Sequence, residues 1–225
     1  MSDVESQIDA DKLGRRLVES APKESISGYK LRVLHENARD GGFALVMASA
    51  SFAVLLVSYI EISQVVPWLL ATLGIITARF TAVSRFFSDY AANKALPYKK
   101  WVGIHIALLI CLGSAYGVTP LLFGVDNHLA LAFANLWCAG IAFSLFLSQG
   151  IVPPIGCAFA VPALGPLLAI YLLSGEIELT LAGLGNLLLF GFLFVVVGRT
   201  RNALIDEVTH RSRYEQLVSH YKSES

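Results

Sequence analysis

Trp101 to Phe123 reads WVGIHIALLICLGSAYGVTPLLF, an apolar run without one Asp, Glu, Lys or Arg. A helix of about 20 such residues crosses the roughly 30 Å hydrocarbon core of a bilayer. Inside lipid the backbone must satisfy its own N–H and C=O groups, which selects a helix over an open strand. The same pattern continues on both sides of this stretch. Gly42–Ile60 and Val65–Thr81 precede it, and Leu129–Ser148, Ile151–Leu173 and Leu179–Gly198 follow it. The expected fold is therefore all-α: a six-helix transmembrane bundle with an N-terminal interfacial helix and a C-terminal cytoplasmic helix.

Composition points the same way. Of 225 residues, 55% are hydrophobic and 15% charged, against about 45–50% and about 25% in soluble domains. Lys plus Arg equal Asp plus Glu at 17 each, so net charge gives no reason to expect a nucleic-acid partner. Cys111, Cys138 and Cys157 lie inside apolar runs without CxxC spacing and read as small packing residues. The first apolar run begins near Gly42, after about forty polar residues, too late for a secretory signal.

The positions of the charges set the orientation, because short loops rich in Lys and Arg stay in the cytoplasm. Lys23, Lys30, Arg32 and Arg39 stand before the first span, Arg85, Lys94, Lys99 and Lys100 follow the second, and Arg199 and Arg201 follow the sixth. The opposite connections, at Glu61, at Asp126 and at Glu176 and Glu178, contain no Lys or Arg. Both termini are expected inside. The Gln149–Pro154 connection falls on the same side with no Lys or Arg of its own.

Three regions follow. Residues 1–41 form a cytoplasmic tail whose Ser2 and Glu5 have capping-box spacing. Within it Tyr29–Asp40 places Leu31, Leu34 and Ala38 on one side, leaving Lys30, Arg32 and Arg39 to anionic headgroups. Gly41 and Gly42 break that helix before the membrane. Residues 42–198 are the bundle, and 199–225 form a charged amphipathic helix carrying Leu204, Val208, Leu217, Val218 and Tyr221, close to a coiled-coil stripe.

Within the spans Arg79 is the one basic group, expected to snorkel to the interface. His105, Tyr116, Asn135, Trp137 and Asn186 are the candidates to line a ligand pocket; as interhelical glue such groups contribute about 0.6 kcal/mol each. Gly113 and Gly117 form a GxxxG packing step, and Pro162 and Pro166 make the fifth span a candidate hinge. His105 has no second histidine in another span with which to hold a haem, and no cofactor or metal set is expected. A Gly-rich phosphate loop, HExxH and GxSxG are all missing, so no catalytic residue is assigned and the chain does not read as an enzyme.

The lead-in Leu31 to Asn37, the Trp101 start and the Gly113-Ser114-Ala115-Tyr116-Gly117 step with its Leu122-Phe123 exit form one pattern with Gly140 and Pro162-Ala163-Leu164-Gly165-Pro166. It resembles the six-span membrane input regions that precede diguanylate cyclase, phosphodiesterase and histidine kinase domains in proteobacterial signalling proteins. The resemblance implies an inner-membrane sensor, a homodimer through the 199–225 helix, that passes a ligand or bilayer signal to a cytoplasmic output domain of cyclic-di-GMP or two-component signalling. No GGDEF, EAL or kinase motif follows within the chain, so the output domain is expected on a partner or on a longer chain. The alternative from another class is a small permease or channel for an uncharged solute, lined by the fifth span with Asn135 or Asn186.

Overall fold

The computed structural model describes residues 26–92, 94–123, 127–150, 152–192, 194–199 and 202. The stretch with the Ser2 and Glu5 capping-box spacing lies outside them, as does the 199–225 extension apart from Arg199 and Asn202. Every regular element among the described residues is a helix: α1 (Ile26–Asp40), α2 (Gly42–Leu56), α3 (Ile62–Ala91), α4 (Tyr98–Gly117), the short α5 (Thr119–Phe123), α6 (His128–Gln149), α7 (Pro153–Leu173) and α8 (Ile177–Arg199). Among the described residues five stretches are long and apolar enough to cross a membrane: α3, α4 with α5, α6, α7 and α8. The pair α1–α2, bent by 41° at Gly41, makes a sixth if counted as one broken span.

The first expected span is shorter than its sequence suggests. α2 is 15 residues long, about 22 Å at 1.5 Å per residue. It closes in tight turns where the amides of Ser58 and Tyr59 donate to the carbonyls of Leu55 and Leu56. α3 is longer than expected, 30 residues or about 45 Å. Its last turns carry Arg85 and Asp89, which end the hydropathy signal, while Val83 and Phe86 stay buried and continue the helix.

α1 also departs from expectation. Leu31, Leu34 and Ala38, expected to face the interface, are at most 2% exposed, because α1 packs against α2, α3, α4 and α6. The Asn37 side-chain amide donates to the Ser148 carbonyl and ties α1 to the end of α6.

α4 packs closely on α7, and glycine and proline create the contact together. Pro166 has no N–H to give the Pro162 carbonyl four residues back, so that oxygen is free of the helix ladder. It faces Gly117, where a Cβ would overlap it, while a Cβ on Gly113 would lie 2.8 Å from Pro162 Cγ. Around the outside, Phe43, Val54, Leu70, Leu136, Val161 and Leu188 are all more than 60% exposed. An apolar exterior of this extent is the mark of a protein solvated by lipid.

Candidate functional site

Three polar residues lie where their helices bury an apolar stripe. His35 shares a face with Leu31, Leu34 and Ala38; Arg79 lies between Ile76 and Val83 on the buried side of α3; His105 lies between Trp101 and Leu109 on α4. The imidazoles of His35 and His105 meet with ring centroids 4.7 Å apart. His35 also stacks on Phe86 at 3.6 Å and meets the edge of Trp101 at 5.6 Å. The Arg79 guanidinium acts electrostatically on both rings.

The hydrogen bonding of this cluster is incomplete. His35 Nδ1 donates to the Leu31 carbonyl at 2.7 Å, which leaves Nε2 as the acceptor of a neutral ring. His35 Nε2, both ring nitrogens of His105, and Nε and Nη2 of Arg79 have no hydrogen-bond partner among the described residues. Arg79 is 3% exposed, so it does not snorkel as the sequence suggests, and no carboxylate pairs with it among the described residues. Donors on Arg79 and acceptors on the imidazoles are complementary in kind but not joined. Leaving such groups unmet costs about 1–3 kcal/mol each, and more for a charge.

The remaining expected pocket residues are placed elsewhere and are saturated. Tyr116 and Trp137 sit in an aromatic box with Phe52, whose ring lies 5.5 Å from Tyr116 and 5.9 Å from Trp137. Trp68 meets Tyr116 edge-on at 5.3 Å. Ser49 Oγ donates to the Leu45 carbonyl, so the Tyr116 hydroxyl is the donor in their 2.8 Å bond. The indoles of Trp68 and Trp137 donate to the carbonyls of Ala115 and Ala48. Asn135 and Asn186 exchange side-chain amide bonds between α6 and α8 at 2.8 and 3.4 Å. The structure thus distributes the five expected residues over three places, and His105 alone joins the unsaturated one.

Sequence reasoning did not single out His35 or treat Arg79 as buried. The usable signal was positional: each occupies a core-facing register within its own helix. Among the described residues no group of three His, Cys, Asp or Glu side chains could hold a metal. Comparison with protein-family models, curated proteins and solved structures gives no match.

Proposed function

We propose that the chain is a membrane-embedded sensory input module. It spans the bacterial inner membrane six times with both termini in the cytoplasm, α1 and α2 forming the lead-in and first span. It pairs with a second copy through the 199–225 helix and passes its state to a cytoplasmic output domain of the cyclic-di-GMP or histidine-kinase type.

The observation that carries this reading is the unsaturated His35–Arg79–His105 cluster, where a helix with a charged outer face packs into the apolar bundle. A purely structural core has no reason to keep a buried cation beside unmet acceptors, since an apolar replacement of equal volume is often neutral or stabilising. An element with two arrangements does: one leaves these groups apart, and another joins them directly or through a polar guest. A stimulus that binds the two arrangements unequally then shifts the balance. The permease alternative has less support, because Asn135 and Asn186, its expected lining, are engaged with each other.

The test is a diguanylate cyclase reporter fused after Ser225, comparing wild type, Arg79→Leu, Arg79→Lys and His105→Leu at equal membrane abundance. Arg79→Leu and His105→Leu should lock the output at one level, and Arg79→Lys should keep part of the response. Output unchanged in all three would remove the cluster as the switching element.

A further inference from the structure

A groove of about 660 Å³ opens between α3 and α4 beside the histidine cluster, with Trp101 as the shared wall. Its chemistry changes along its length. Ala78, Ala82 and Ala107 form a shallow apolar floor, whereas Arg85 and Lys100 rim one end. Counted from Ile62, Ala78 and Ala82 lie about 24 and 30 Å along α3 and Arg85 about 35 Å. Set against a hydrocarbon core about 30 Å thick, the floor lies at acyl-chain depth and the cations at headgroup depth.

Both cations are exposed, and neither makes a hydrogen bond or ion pair among the described residues. The Lys100 ammonium rests 5.9 Å from the Trp101 ring centroid. Asp89 also lines the groove, but its carboxylate accepts from Lys94 at 2.7 Å, which offsets its charge locally. The rim is therefore net positive above an apolar slot. A second copy of the chain seated here would bring the same cations against these, so the charge favours an anionic occupant with an apolar tail.

We infer that the α3–α4 groove is a binding site for an anionic phospholipid, its phosphate held between Arg85 and Lys100 and one acyl chain lying along Ala78, Ala82 and Ala107. Small side chains at those three positions leave room for the chain, and Trp101 supplies an interfacial ring beside the glycerol region. The site stands apart from the sensor reading, because its test measures lipid association and not output.

The chain is reconstituted in phosphatidylcholine vesicles carrying trace spin-labelled phosphatidylglycerol or, separately, spin-labelled phosphatidylcholine. Measurements at about 1 M salt, where the Debye length is about 3 Å, suppress diffuse surface attraction. Phosphatidylglycerol should show a motionally restricted population that phosphatidylcholine lacks. Each basic side chain near a membrane surface is worth about fivefold in association, so Arg85→Gln with Lys100→Gln should lower the preference about tenfold under this screening. Lys94→Gln with Lys99→Gln, which changes the same loop outside the groove, should leave it within twofold. Ala82→Trp should abolish it with both charges in place. The four exchanged basic residues are exposed, and unchanged helical circular dichroism checks that each variant folds. Retained preference in Arg85→Gln/Lys100→Gln would overturn the site. Displacement of the labelled lipid by soluble glycerol phosphate would show a free-anion site instead, and dimer crosslinking through a cysteine at Ala82 would show that a second copy fills the groove; either result overturns the assignment.

Discussion

Replacing Gly117 by alanine places a methyl group against the backbone of α7. The new Cβ overlaps the Pro162 carbonyl oxygen and lies 3.1 Å from its carbonyl carbon and 3.4 Å from Ala163 Cα. These are backbone atoms, which cannot turn aside as the end of a side chain does, so α4 and α7 must separate. Overpacking of this kind costs about 1–3 kcal/mol, and the better helix propensity of alanine offsets about 0.8–1.0 kcal/mol of it. The expected net loss is about 0–2 kcal/mol. Gly113→Ala meets Pro162 Cγ at 2.8 Å and the Phe159 backbone, and a similar loss is expected. Gly103 lies on the same helix with nothing within 4 Å of its built Cβ, so Gly103→Ala retains only the propensity gain, between zero and about 1 kcal/mol. Unfolding by SDS titration in mixed micelles, followed by far-UV circular dichroism, ranks the three variants. If Gly117→Ala and Gly103→Ala unfold at the same SDS fraction, the tight backbone contact does not hold α4 to α7.

Three further outcomes can be checked, two in the same SDS titration and one in cells. Asn186→Leu should lose about 0.6 kcal/mol and at most about 1.7, the range of single interhelical bonds in membranes, and adding Asn135→Leu should recover part of it because no unpaired amide remains; strict additivity would count against the reciprocal pair. Tyr116→Phe should lose about 0.5–1.5 kcal/mol with the donor to Ser49, whereas Tyr116→Ala should lose about 3–5 kcal/mol with the ring; equal losses would place the energy in the hydroxyl. For topology, single cysteines at Asn127 and Ser223 are treated in cells with a membrane-impermeant thiol reagent, and Asn127 should label while Ser223 should not.

The apolar runs located α4, α6, α7 and α8 to within a few residues, because no Asp, Glu, Lys or Arg interrupts them and each ends at a loop with its own charge or proline. The same measure failed at the C-terminal ends of the first two spans, Ile60 against Leu56 and Thr81 against Ala91. α3 continues past Thr81 because Val83 and Phe86 keep its buried stripe going, a periodic signal that a hydropathy window loses once Arg85 and Asp89 enter it. α1 carried a correctly identified apolar face, but sequence cannot say whether such a face meets lipid or helices, and here it meets helices. Sequence sets the GxxxG step beside the prolines of the fifth span as a packing step and a hinge; only their apposition shows that the carbonyl freed by Pro166 is the surface to which Gly117 is fitted. The unsaturated cluster was hidden for a related reason. His35, Arg79 and His105 come from three helices 26 or more positions apart in sequence, and each one alone has an ordinary structural reading.

The cluster engages α1, α3 and α4, whereas the helix leading to residues 199–225 is α8, so a change at Arg79 has to cross the bundle to reach them. One route runs along α4 to the Gly113–Gly117 contact, through α7, and on to Gly183 of α8, whose built Cβ lies 3.2 Å from Tyr171 Cβ. Close backbone packing on that route leaves little slack to absorb a displacement. Intermediate position alone does not establish coupling, but a double-mutant cycle measures it. Substitutions without shared partners add to within about 0.3–0.5 kcal/mol, while coupled ones deviate by about 0.5–3 kcal/mol. Arg79→Leu combined with Gly117→Ala should deviate by more than about 0.5 kcal/mol in the SDS titration if both act on one two-state element. Arg79→Leu combined with Gly140→Ala, where the built Cβ meets nothing within 4 Å, should be additive. Additivity in both cycles would mean that the α4–α7 contact shapes the bundle without carrying a signal through it.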